Sequence, residues 1–107
     1  MTGPRTKTVT SEELAALIDV SYKRINTWAT RGYLKEEPRF KGTGHRRTFR
    51  ASEVRIAQVM AELVKAGVIP SVASKAARGA MVEVDSRGPL FMCELTKGVA
   101  VTGRLKP

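Results

Sequence analysis

Ser21, Tyr22, Lys23, Arg24, Asn26, Thr27 and Arg31 fall in one short stretch between Val20 and Gly32 and bring together hydroxyl, phenol, ammonium, amide and guanidinium groups. Set on a helix, Tyr22, Lys23, Asn26, Thr27 and Thr30 share one side, while Val20, Ile25, Trp28 and Ala29 share the other at the spacing of a packed stripe. Cations and amides on one helix face are the groups that bond phosphate oxygens and base edges. Arg24 lies at the border, where its stem can follow apolar surface while the guanidinium reaches outward. An amphipathic helix with a merely solvated polar face shows the same pattern. A second cluster follows at Lys41, His45, Arg46, Arg47 and Arg50, around Gly42 and Gly44. Glycine supplies the positive backbone angles of a tight hairpin tip, so residues near Phe40 and near Thr48-Phe49 are predicted to form two strands flanking Gly-Thr-Gly. Such a basic wing can lie along a phosphate backbone or enter a minor groove, where arginine meets concentrated negative potential. A loose basic loop is the alternative.

Charge makes a polyanion the first partner to consider. The chain has 107 residues and a formal net charge of +9, from 19 Lys+Arg against 10 Asp+Glu. In a chain this short that produces a substantial positive field. Nucleic acid fits better than a membrane surface, because the cations are spread over several segments and no basic amphipathic helix has a strongly apolar opposite face. A merely soluble basic protein would carry the same charge. One Cys and one His supply neither an intrachain disulfide nor the four ligands of a usual zinc site, so no cofactor is expected. A reducing cytoplasm is the expected location. The segment from Met1 to Val9 lacks the apolar core of a signal peptide, and no run is long enough to span a bilayer.

The elements that must hold these clusters are marked by local signals. Residues 1–9 read as a flexible basic arm carrying Arg5 and Lys7. Thr10-Ser-Glu-Glu13 has the spacing of a capping box and starts a helix with Leu14, Leu17 and Ile18 as its apolar stripe. The Asp19-Val20 turn is so short that the next helix must cross steeply, the helix-turn-helix geometry. Ser21 caps that second helix and Gly32 ends it, after which Tyr33-Leu34 anchors the chain to the core. A third helix runs from Ala51 to Ala66 and is stopped by Gly67; it is apolar except for the stripe of Arg55, Gln58, Glu62 and Lys65. Pro70 opens a fourth helix, continued through Val72, Ala73, Ala76, Ala77 and Met81. From Val82 the pattern turns to short strands at Val82–Val84, Leu90–Leu95 and Val99–Val101, separated by turn-like segments. The predicted fold is mainly α with small β: four helices, a basic two-stranded wing and a C-terminal β hairpin or small meander. A DNA-binding domain over residues 10–81 and a β-rich segment over 82–107 follow. Those short strands must pack on the helices, add to the wing or pair with another subunit. Cys93 among them reads as a small buried hydrophobe.

Thr10-x-x-Glu-Leu-Ala15, then Val20-Ser-x-Lys-x-Ile25, Trp28-Ala and Gly32-Tyr-Leu34, resemble the N-terminal half of a MerR-type winged helix-turn-helix. Gly44-His-Arg-Arg47, followed by an aromatic, Arg50 and Ser52-Glu-Val54, resembles the small subgroup that includes phage excisionases and compact developmental regulators of actinobacteria. The match covers about residues 10 to 80. By this resemblance the helix from Ser21 enters the major groove of double-stranded DNA with Lys23 and Arg24 as its main contacts, and Arg46 and Arg47 of the wing meet backbone or minor groove. Asp19 stands where the family usually has Gly, and is better tolerated than most residues in the left-handed conformation. Neither the long dimerisation helix nor an effector-binding domain has a counterpart, so no small-molecule effector is expected. Small members bind DNA as monomers or head-to-tail arrays. The implied function is a sequence-specific transcription regulator. Two other readings use the same residues: an excisionase-type factor that bends DNA, and, from another class, an adaptor acting through the C-terminal strands. An enzyme is disfavoured, because a lone His45 among arginines is a poor base and no metal cluster accompanies it.

Overall fold

Thr10 begins the first helix in the predicted way. Its hydroxyl accepts from the Glu13 N–H at 3.2 Å, and its own N–H donates to Glu13 Oε1 at 2.8 Å, so the capping box is complete. The computed structural model describes residues 8–37 and 47–105. In chain order these form β1 (Thr8–Thr10), α1 (Ser11–Ile18), α2 (Tyr22–Thr30), β2 (Thr48–Arg50), α3 (Ala51–Lys65), α4 (Pro70–Arg78), β3 (Met81–Asp85), β4 (Gly88–Thr96) and β5 (Val99–Arg104). Two compact units divide the chain, Met1–Arg55 and Ile56–Pro107, with the division inside α3.

In the first unit, α1 buries Leu14 and Ile18, one turn apart, together with Ser11, while Leu17 is half exposed. The apolar face of α1 is thus narrower than its spacing predicts. Asp19 then takes φ 55 and ψ 51, the left-handed conformation, and its N–H donates back to the Ala15 carbonyl. That reversal lets Ser21 follow at once as the N-cap of α2, its hydroxyl accepting from the Arg24 N–H at 3.1 Å. α2 buries Ile25 and Trp28, and Gly32, at φ +80, ends it as the Tyr33 N–H donates to the Trp28 carbonyl at 2.8 Å. Leu34 is buried, as expected of an anchor.

The described arm of the expected wing pairs with a strand that the sequence did not suggest. β2 pairs antiparallel with β1 in the register Thr8↔Arg50, Val9↔Phe49, Thr10↔Thr48, and Phe49 is fully buried. Thr8 and Val9, assigned from sequence to the basic arm, are therefore part of a two-stranded sheet. The physical reason is that the edge of β2 needs backbone partners, and the segment just before α1 supplies them. Phe40 and the Gly42-Thr43-Gly44 tip lie outside the described residues.

In the second unit, α3 buries Ala57, Val59, Met60, Ala61 and Leu63, and Pro70 occupies the first turn of α4, where its missing N–H is no loss. α4 stops at Arg78 with Gly79 as its C-cap, so Met81 does not continue the helix but opens β3 and is largely exposed. β3, β4 and β5 form an antiparallel meander in that order. α4 presents buried Ala73, Ser74, Ala76 and Ala77, and these small side chains let β4 pack on it. Phe91, Cys93 and Leu105 are buried with them. Burial pushes the Cys93 thiol up in pKa, favouring its neutral form. Gly103 permits a close approach, since a Cβ there would fall 2.6 Å from the Phe91 ring. At the turn end of the meander, Arg104 bonds both Asp85 carboxylate oxygens, at 2.9 and 3.0 Å, and the Gly88 carbonyl at 3.2 Å. No helix among the described residues is long and apolar enough to cross a membrane.

Candidate nucleic-acid interface

The apolar face of α2 determines what its other face can do. Once Ile25 and Trp28 are buried, the helical period leaves Tyr22, Lys23, Arg24, Thr27, Thr30 and Arg31 exposed and Asn26 half-buried. Lys23, Asn26, Thr27, Thr30 and Arg31 line a shallow open groove. Lys23, Arg24 and Arg31 make no ion pair among the described residues, so their charges face solvent unneutralised. The hydroxyls of this face also have internal duties. Ser21 caps α2, and Thr27 Oγ1 donates to the Lys23 carbonyl at 3.0 Å, leaving the oxygen able to accept.

Arg47 comes to this surface from the other side of the sequence. Its Nε donates to Glu36 Oε2 at 2.7 Å, its Nη1 to Asn26 Oδ1 at 3.0 Å and the Asn26 carbonyl at 3.3 Å, and its Nη2 to Thr30 Oγ1 at 3.1 Å. The Arg47 and Glu36 side chains are each about three-quarters buried. Arg50 is directed elsewhere: its Nε pairs with Glu37, and with Lys35, Glu36, Ser52 and Glu53 it lines a second depression. There the Glu53 carboxylate, buried in the first turn of α3, accepts from the Lys35 N–H at 2.7 Å. The Glu37 N–H donates to the Thr48 carbonyl at 2.7 Å, which holds residues 35–37 beside β2.

Of the predicted contact residues, Ser21, Tyr22, Lys23, Arg24, Asn26, Thr27 and Arg31 therefore lie together on or at the ends of α2, with Arg47 bound against them. Arg50 stands apart, paired to Glu37. Lys41, His45 and Arg46 lie outside the described residues. Sequence reasoning passed over Glu36, Glu37 and Glu53, which neutralise or position the base of this region. A signal was available, because Glu36-Glu37 is an acidic pair in an otherwise basic segment and implies cations or N–H groups that need partners.

The surface is a helix face with cations unpaired among the described residues, an amide and hydroxyls beside a helix-turn-helix turn, with an arginine from the following segment fastened to it. A family model described as MerR HTH family regulatory protein matches residues 9–79, a span that begins in β1 and ends at the C-cap of α4. No curated protein is significantly similar to the chain.

Proposed function

From the premise that the chain belongs to the MerR HTH family of DNA-binding regulatory proteins, we propose that it is a sequence-specific transcription regulator that sets the outward face of α2 in the major groove. The observation that carries this reading is that Lys23 and Arg31, which make no ion pair among the described residues, line one groove with Asn26, Thr27 and Thr30, with the likewise unpaired and exposed Arg24 on the same helix. Tyr22 and Ser21, at the N-terminal end of the same helix, complete the contact set. Lys23 and Arg24 reach base edges there, as do the amide and hydroxyls, while the remaining cations meet phosphates. Lys41, His45 and Arg46 are assigned to backbone or minor-groove contacts by their charge and their place between Glu37 and β2 in sequence. Arg50, though paired to Glu37, is more than half exposed along its side chain and adds to the field. Head-to-tail arrays on DNA, joined through the edges of the β3–β5 meander, are the assembly this reading favours.

Titration of the full chain with duplex DNA at several salt concentrations tests the reading. With about four to six phosphates neutralised per protomer, the slope of log affinity on log salt is expected near −4 to −5. Lys23→Ala should lower affinity for the selected site more than for scrambled DNA. A slope near zero, or no selected site, overturns the proposal. A footprint separates regulation from excision: one short site over a promoter marks the former, several phased sites beside an integrase site the latter.

A further inference from the structure

The Arg47 guanidinium is committed to the protein itself. A guanidinium has five N–H groups, and its contacts with Glu36, Thr30 and the two oxygens of Asn26 occupy four of them. Clasping a phosphate in the usual two-pronged way needs two N–H groups side by side, and Arg47 has one to spare. Its acceptors come from two places, Asn26 and Thr30 one turn apart on α2, and Glu36 in the segment that follows. Arg47 therefore joins the segment entering β2 to the groove face of α2. A consequence follows for Asn26. Since a guanidinium has no acceptor, the amide atom that faces Arg47 is the oxygen, and the NH2 group is the one turned away from it.

We propose that Arg47 is a positioning residue that fixes Asn26 with its NH2 toward the groove on α2, so that Asn26 reads guanine in preference to adenine. Guanine offers two adjacent acceptors, O6 and N7, to an NH2 donor, whereas adenine in its usual pairing with asparagine also requires the amide oxygen, which is turned toward Arg47. This inference rests on the DNA-binding reading above and adds the chemistry of one base position to it.

The experiment uses the full chain and duplexes selected from a random pool. The base position whose preference disappears in Asn26→Ala is identified first, and duplexes with guanine or adenine there are then titrated against wild type, Arg47→Ala, Arg47→Lys, Asn26→Ala and the Asn26→Ala/Arg47→Ala pair over a range of salt. Wild type should prefer guanine. Arg47→Ala should lower the guanine-over-adenine ratio about tenfold, the size of one base contact, and the double variant should discriminate no worse than Asn26→Ala. Its salt slope should stay close to that of wild type, whereas loss of a phosphate contact would reduce it by about 0.9. Arg47→Lys keeps the charge but lacks the planar fork, so it should lose discrimination too; it carries the test if the alanine variant fails to fold. A slope reduced by about 0.9 with equal losses on both duplexes, restored by lysine, would make Arg47 a phosphate contact and overturn the proposal. So would a wild-type preference for adenine at the Asn26 position. A wild type that selects no site instead overturns the DNA-binding reading itself, an outcome distinct from both.

Discussion

Glu53→Ala should destabilise the first unit by about 1.5–2 kcal/mol, and Glu53→Gln by roughly 1 kcal/mol or less. The Glu53 residue is only 7% exposed, and its Oε2 accepts from the Lys35 N–H at 2.7 Å. A hydrogen bond to an ionised acceptor contributes about 1.5–3 kcal/mol, and losing it leaves the N–H without its partner. Lys35 itself is exposed, so water replaces part of what alanine removes, which places the loss at the lower end of that range. Glutamine retains a neutral acceptor oxygen at nearly the same position and so forfeits only the ionic part. Trp28 is the chain's single tryptophan and is buried in the same unit, so its emission during urea or thermal unfolding reports on the region that Glu53 supports. For a domain of this size the alanine variant should melt about 6–16 °C lower. Equal losses for alanine and glutamine, or losses within about 0.5 kcal/mol of zero, the usual range for a surface site, would show that the bond to Lys35 is not what holds residues 35–37 in place.

Three further outcomes follow from the structure. The Arg104 guanidinium, aided by the Arg87 N–H, holds the Asp85 carboxyl down from 3.8 to about 2; a lowered folded pKa means stability present above the ordinary value and lost as pH falls through about 4 toward 2, so wild type should lose melting temperature over that window more steeply than Asp85→Asn. Ser11 Oγ is buried with no hydrogen-bond partner among the described residues, so Ser11→Ala should raise stability by up to about 1 kcal/mol, and a lowered melting temperature would reveal a partner for the hydroxyl. Gly103→Ala should destabilise the second unit by about 1–3 kcal/mol, because its Cβ would meet the buried Phe91 ring at 2.6 Å; near-wild-type unfolding of this variant by far-UV circular dichroism would mean that the ring can move aside.

What was legible in the sequence was local. The Thr10/Glu13 capping box, the Ser21 cap and Pro70 at a helix start each depend on residues within a turn of one another, so short spacing carries the whole signal. The meander was legible for the same reason, since its strands are joined by two-residue turns. The β1–β2 pair was not, because Thr8–Thr10 and Thr48–Arg50 are too short to show alternation and too distant in sequence to predict each other. Met81 falls at helical spacing from Ala77, yet Gly79 ends the helix before it; one apolar residue fits a helix or a strand equally well until its neighbours are placed. Arg47 is the most instructive case. Its charge and place in a basic run suggested phosphate, but whether an arginine faces outward depends on Glu36, Asn26 and Thr30 being brought around it, and no spacing rule reports that.

The left-handed backbone at Asp19 also constrains how this turn can change over generations. An aspartate codon is one base away from codons for glycine, asparagine, glutamate, alanine, valine, tyrosine and histidine. Glycine and asparagine suit a positive φ at least as well as aspartate, whereas β-branched valine does not. Point mutation can thus carry position 19 among Asp, Asn and Gly without passing through a residue that would distort the turn. The angle between α1 and α2 can persist while the residue that sets it drifts, and that residue is then a poor marker of common descent even where the geometry is shared.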